Sequence, residues 1–133
     1  MLEVLITIVI LSLGLLGFAG LQAYSLKTNR IALQRSLATM YAYSIIDCMR
    51  VNRVQALAGS YNLAALSSSQ ATDHSTVAKD DVHDWLDAIH GDLPNGMGKI
   101  TVNGNMATVQ IQWAENLSSS DQNNLIFQTE TNL

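Results

Sequence analysis

The chain has 133 residues, a formal net charge of −4 and a pI near 5.1; hydrophobic residues make up 48% of it and charged residues 14%. That length suits one modest domain plus an appendage. The acidic balance, without a basic stripe interleaved with aromatics, argues against a nucleic-acid partner, and a single cysteine, Cys48, excludes an intrachain disulfide.

The opening stretch, MLEVLITIVILSLGLLGFAG, is almost wholly apolar, and no charged residue occurs from Val4 to Leu26. A helix of that span rises about 35 Å, enough to cross a hydrocarbon core. The run is too long for a signal-peptide core and has no basic residue ahead of it, so a retained anchor is expected. This divides the chain into a membrane or fibre-core helix, 1–26, and a head, 27–133. Gly14, Gly17 and Gly20 recur at every third position. Small residues let helices approach closely in lipid, and each glycine also lowers helix propensity by about 1 kcal/mol relative to Ala. They are therefore candidates for packing or flexibility. Glu3 is the anomaly. A carboxylate at the bilayer centre costs about 2.5–3.5 kcal/mol and less near an interface. It is either a tolerated interfacial charge or an acid whose cation arrives only in an assembled state. Lys27, Arg30 and Arg35 follow the run and nothing basic precedes it, so the positive-inside rule taken alone leaves the head in the cytoplasm.

Between Ile31 and Val54 there is neither Gly nor Pro, and the pattern predicts one helix continuing from Leu2 to about Ala58, amphipathic in its second half, with Gly59 as its stop. Ile31, Leu37, Ala38, Tyr41, Ala42, Ile45, Cys48 and Met49 share one broad face. Ser36, Thr39, Asp47 and Arg50 lie opposite, the last two as an i,i+3 ion pair. Cys48 reads as a small buried apolar residue. Residues 60–78 form a polar loop. DDVHDWLDAIHG then places Val82, Trp85, Leu86 and Ile89 at helical spacing, with Asp80 or Asp81 as cap and Gly91 as stop. Pro94 lies in a turn. KITV and MATVQIQW alternate around NGN, a hairpin signal, and LIFQTE makes a third strand. The fold class is α+β: a long N-terminal helix packed on a small antiparallel β-meander with a short extra helix.

Catalytic and metal-binding constellations are sparse. His83 and Asp87 stand at i,i+4, with His90 and His74 nearby in sequence, but the spacing matches no zinc motif and solvated side chains on a polar helix face are expected. There is no nucleophile elbow, phosphate loop, HExxH or CxxC. Neither an enzyme nor a cofactor or metal is expected. Asn116 opens a glycosylation triplet, NLS.

The start of the chain resembles a mature type IV pilin or pseudopilin. Met1-Leu2-Glu3 is similar to the end of that family's N-terminal cleavage and methylation motif, which a long apolar helix follows. The resemblance implies a basic leader removed by a prepilin peptidase upstream of Met1, which reverses the topology argument and exports the head. It also implies that Glu3 pairs with the N-terminal amine of a neighbouring subunit and sets axial register. The stretch IIDCMRVNRVQALAGSYN is similar to PilV-type minor pilins through Asp47, Met49, Arg50, Asn52, Arg53, Gly59 and Tyr61, and the later WLDAI, LPNGMGKITV and ATVQIQW extend the likeness. Many pilins carry a proline about where Gly20 stands, so a proline kink is not expected. The resemblance implies a non-enzymatic minor pilin that helps initiate or cap a type IV pilus and support adhesin display. Its implied partners are other minor pilins, the major pilin and a tip adhesin, and its implied location is the inner membrane and then the pilus tip. A minor pseudopilin of type II secretion and a membrane-anchored binding module are the alternatives.

Overall fold

A computed structural model describes residues 1–69, 74–114 and 124–133; the Asn116 triplet lies outside them. Helix α1 spans Leu2–Val51. It is followed by α2 (Arg53–Leu57), α3 (Val77–Asp92), β1 (Met97–Asn103), β2 (Met106–Ala114) and β3 (Asn124–Asn132). The fold is α+β, a long N-terminal helix with a small antiparallel meander and short helices, as the sequence predicts.

The chain divides into two compact units, Met1–Leu33 and Gln34–Leu133. In the first, every side chain from Met1 to Arg30 is exposed. Helicity is unbroken through Gly14, Gly17 and Gly20. The hydroxyls of Thr7 and Ser12 donate to the helix's own carbonyls, at Glu3 (2.6 Å) and Val9 (2.8 Å), which lets them sit in an apolar medium. The lipid-compatible run ends at Lys27, where charge begins, and the unit boundary falls at Gln34, where burial begins.

In the second unit α1 buries Ala38, Ala42, Ile45, Ile46 and Met49, a stripe at helical spacing. It joins one core with Val82, Trp85, Leu86 and Ile89 of α3 and with Ile100, Val109, Ile111 and Trp113 of the sheet. Each fully buried Ile or Leu contributes roughly 1.5–3 kcal/mol. The exposed Asp47–Arg50 pair, at 3.1 Å, contributes at most about 0.5 kcal/mol. The apolar stripe therefore decides which way this part of α1 faces. Sequence periodicity identifies most of that face but misses Gln34 and Ile46, both buried. Cys48, expected to be buried, is only half-buried.

The helix does not run on to Ala58. It is interrupted at Asn52, whose φ of −104° and ψ of 46° leave the helical region. The Asn52 N–H still bonds to the Cys48 carbonyl at 2.9 Å, and its side-chain amide donates to the Tyr61 hydroxyl at 3.3 Å. After α2 the chain turns at Gly59, φ 82°. Ser60 N–H bonds to the Gln55 carbonyl and Gly59 N–H to the Ala56 carbonyl, both at 3.0 Å. That paired pattern is a Schellman stop.

Helix α3 starts earlier than Asp80. Its cap is Thr76, whose side chain accepts from Lys79 N–H. Gly91 lies inside the helix, which ends at Leu93 because a residue before proline is held extended; Leu93 has φ −110° and ψ 134°. Pro94 and Asn95 form the turn, with Asn95 at φ 51° and Gly96 N–H closing onto the Leu93 carbonyl at 3.0 Å. A β-carbon on Gly98 would overlap the Trp85 ring, so this glycine lets α3 lie close on β1.

The sheet order is β1-β2-β3, all antiparallel, with Asn103 opposite Met106 and Ala114 opposite Asn124. Gly104, φ 58°, takes the first position of the two-residue hairpin loop. The outer edge of β1 is covered: Ser67 bridges to Gly98, and the Asn62 side chain accepts from Val102 N–H at 2.6 Å. Because the second unit has its own core, a fragment beginning at Thr28 is expected to be soluble and to give a mixed α/β circular dichroism spectrum. An insoluble or wholly helical fragment would contradict this division.

Candidate functional site

The residues singled out in the sequence occupy two places. Glu3 lies in the first turn of α1, exposed, and its carboxylate has no partner among the described residues. Around Gly14, Gly17 and Gly20 a β-carbon would meet nothing within 4 Å. Their smallness is therefore unused inside this chain. Leu2, Leu5, Leu16 and Leu21, among others of the run, are largely exposed, and α1 is long and apolar enough here to cross a membrane.

The second place is the junction of α1, α2 and α3, where Asp47, Met49, Arg50, Asn52 and Arg53 fall together in sequence but do different work. Met49 is core. Arg50 pairs with Asp47 and also donates through Nη2 to Thr131 Oγ1 at 3.0 Å, linking α1 to β3. Asn52 donates to the Tyr61 hydroxyl, which in turn donates to Asp81 Oδ2 at 2.5 Å. One buried phenol thus joins the end of α1 to the first turns of α3. Arg53 is exposed and has no partner among the described residues. Met49, Arg50 and Asn52 tie α1 to the rest of the head, whereas Asp47 pairs only within α1. The resemblance singles out Tyr61 beside Gly59, but nothing in the sequence points to its bond with Asp81, twenty positions away.

A second tyrosine makes a similar join. The Tyr41 hydroxyl donates to Asp92 at the end of α3, and the Tyr41 carbonyl accepts from Trp85 Nε1 at 2.9 Å. Burial and the Asp81 hydrogen bond push the Tyr61 hydroxyl from 10.0 to about 12, with the Asn52 amide acting the other way. The Asp92 hydrogen bond, then burial, pushes Tyr41 to about 12. Burial, then Asp81 and Asp47, raises the Cys48 thiol, which makes it a poor nucleophile.

His74 Nδ1 lies 2.6 Å from Asp80 Oδ1, and the His74 and His83 rings are 5.1 Å apart. His83 Nδ1 is 3.5 Å from Asp84 and 3.8 Å from Asp87, too long for hydrogen bonds. His90 is exposed. Among the described residues no group of three or more His, Cys, Asp or Glu side chains is placed to hold a metal ion.

No family model, curated protein or solved structure matches this chain.

The tyrosines make stability depend on pH. Both folded-state values are raised, so the stabilisation is complete below pH 10 and is lost as pH climbs from 10.0 through about 12. Urea unfolding followed across this window should show stability falling steeply. A Tyr41→Phe/Tyr61→Phe variant should be weaker at neutral pH by about 1 kcal/mol per lost hydrogen bond and show a flatter decline. A decline equally steep in the variant would remove the tyrosines as its cause.

Proposed function

We propose that this chain is a minor pilin of the PilV type, a non-enzymatic subunit that helps initiate or cap a type IV pilus and supports adhesin display at its tip. The observation that carries the reading is Glu3. It is a carboxylate without a partner among the described residues, at the head of an apolar run whose side chains, 1–26, are all exposed. In lipid such an acid is tolerated near the interface. Once a helix is drawn into a bundle of neighbours the carboxylate is desolvated, and only a nearby cation offsets that penalty. A neighbouring subunit's N-terminal amine supplies one, and the pair fixes how far each helix slides along the next.

The rest of the chain is compatible with this role. The head has a core of its own, and in the apolar run the leucines are largely exposed and a β-carbon on any of the three glycines would meet nothing within 4 Å among the described residues. In this reading the subunit sits in the inner membrane with its head in the periplasm. It is matured by a prepilin peptidase and then joins other minor pilins, the major pilin and a tip adhesin.

Glu3→Ala is expected to leave membrane insertion intact, because removing a charge eases partitioning, while incorporation into fibres falls. Sheared pili and membranes, fractionated and probed for this chain, separate the two. Unchanged incorporation would return Glu3 to an incidental interfacial charge.

The glycines give an independent test. In lipid every backbone group must be bonded within the helix, which keeps Gly14–Gly20 helical as seen here. Among protein neighbours the intrinsic penalty of the three, about 3 kcal/mol in sum, favours loosening. A Gly14→Ala/Gly17→Ala/Gly20→Ala variant is expected to insert normally and assemble poorly. Normal assembly together with an unbroken helix in a fibre map would leave close packing as their only role.

A further inference from the structure

Helix α3 carries five aspartates and a single lysine. Three of the chain's seven basic residues, Lys27, Arg30 and Arg35, lie instead within nine positions of α1, all exposed. No acidic residue occurs between Glu3 and Asp47, and none of the three forms an ion pair among the described residues. Leu26 and Leu33, beside them, are 70% and 60% exposed. The chain thus displays an apolar, basic helical segment with nothing to satisfy it.

A complementary surface exists in the second unit. Between α1 and α3 run two adjoining grooves of about 260 and 440 Å³ that share Ser44, Cys48 and Asp81. Ile45, Cys48 and Trp85 give an apolar floor, and Val51 and Val77, 91% and 66% exposed, stand at its lip. Asp47, Asp81 and Asp84 rim it, and Asp84 projects almost fully into solvent. The internal bonds of these acids leave capacity: a carboxylate accepts through two oxygens, and Asp81 uses only Oδ2 toward Tyr61.

We propose that this α1–α3 groove docks the 26–35 segment of a second copy of this chain, with leucines on the apolar floor and Lys27 and Arg30 against the aspartate rim. The contact is heterologous, a groove on one copy and a helix on another, rather than self-complementary. Charge complementarity supplies orientation and specificity, and the apolar floor supplies most of the affinity. The contact is independent of the Glu3 pairing and stands or falls separately from it.

The test uses full-length chains in detergent micelles, each with one cysteine. Cys48→Ala/Ser44→Cys marks the groove, Cys48→Ala/Ala32→Cys marks the basic segment without removing its charges, and Cys48→Ala/Thr101→Cys marks an exposed strand position as control. Equal mixtures are oxidised and the mixed disulfides counted. The groove–segment pair is expected to exceed the groove–control pair by about threefold or more, and to fall measurably at about 0.5 M salt, where exposed charges are screened. It should also fall when the groove chain carries Asp47→Lys and Asp84→Lys, both exposed positions whose replacement spares the core. A groove–segment yield equal to the control overturns the proposal. So does a yield that survives both high salt and charge reversal.

Discussion

Trp85 is the side chain on which the head depends. Its indole N–H bonds to the Tyr41 carbonyl of α1, and its ring lies where a β-carbon on Gly98 of β1 would be. One residue of α3 thus fixes its distance to a helix on one side and to a strand on the other. Aromatic rings bury large areas with a defined geometry, so a misplaced Trp85 would open the whole interface rather than one contact. The two tyrosine–aspartate bonds, Tyr61 to Asp81 and Tyr41 to Asp92, then fasten α3 near its beginning and its end. Without the apolar core these bonds would be exchanged for water and contribute little. With it, they settle the register of α3 along α1.

The second constraint is that α1 must suit two surroundings. From Val4 to Leu21 it offers only apolar side chains and two hydroxyls bonded to the helix's own carbonyls. Its later part presents a stripe of alanines and large aliphatics to a protein core. Asn52 is where the second requirement ends: its N–H closes the last turn onto the Cys48 carbonyl and its side-chain amide reaches Tyr61. The residues that resemble a PilV-type motif gain a physical reading in this way. Met49, Arg50 and Asn52 assemble the junction at the end of α1, and the exposed Asp47 and Arg53 remain accessible from outside.

Much of this was legible in the sequence, and the failures share a cause. The apolar run, the amphipathic stripe, the hairpin at Gly104 and the third strand follow from periodicity and turn chemistry, which act over a few residues. The break at Asn52 has no Gly or Pro to mark it, and Tyr61, which its side chain meets, is nine positions on. The cap of α3 was placed at Asp80 or Asp81 because acids cap well. Asp81 is in fact occupied by Tyr61 and Thr76 takes the cap. Gly91 looked like a stop, but the constraint that Pro94 places on Leu93 acts instead. Gln34 shows the same limit, since a polar residue buried on an otherwise apolar face leaves no periodic signature. The candidate site was legible at Glu3 and the glycines, which betray themselves by being out of place, and illegible in the α1–α3 groove, which exists only once two distant segments meet.

The sheet is asymmetric at its margins. The outer edge of β1 is covered by the chain around Asn62 and Ser67, whereas β3 has no strand on its far side among the described residues. A bare edge is a template on which sheets of different molecules can stack without limit. The exposed face of β3 reads Asn124, Ile126, Gln128, Glu130 and Asn132, and Gln128 is held by Gln110 on one side and by Glu130 on the other. With one aliphatic among five and a carboxylate near the strand's end, that face resists the dry zippering of amyloid. A protein whose other half is covered in exposed leucine and isoleucine thereby confines its stickiness to a helix, where association keeps the backbone bonded, and withholds it from the sheet, where association would propagate as fibrous aggregate.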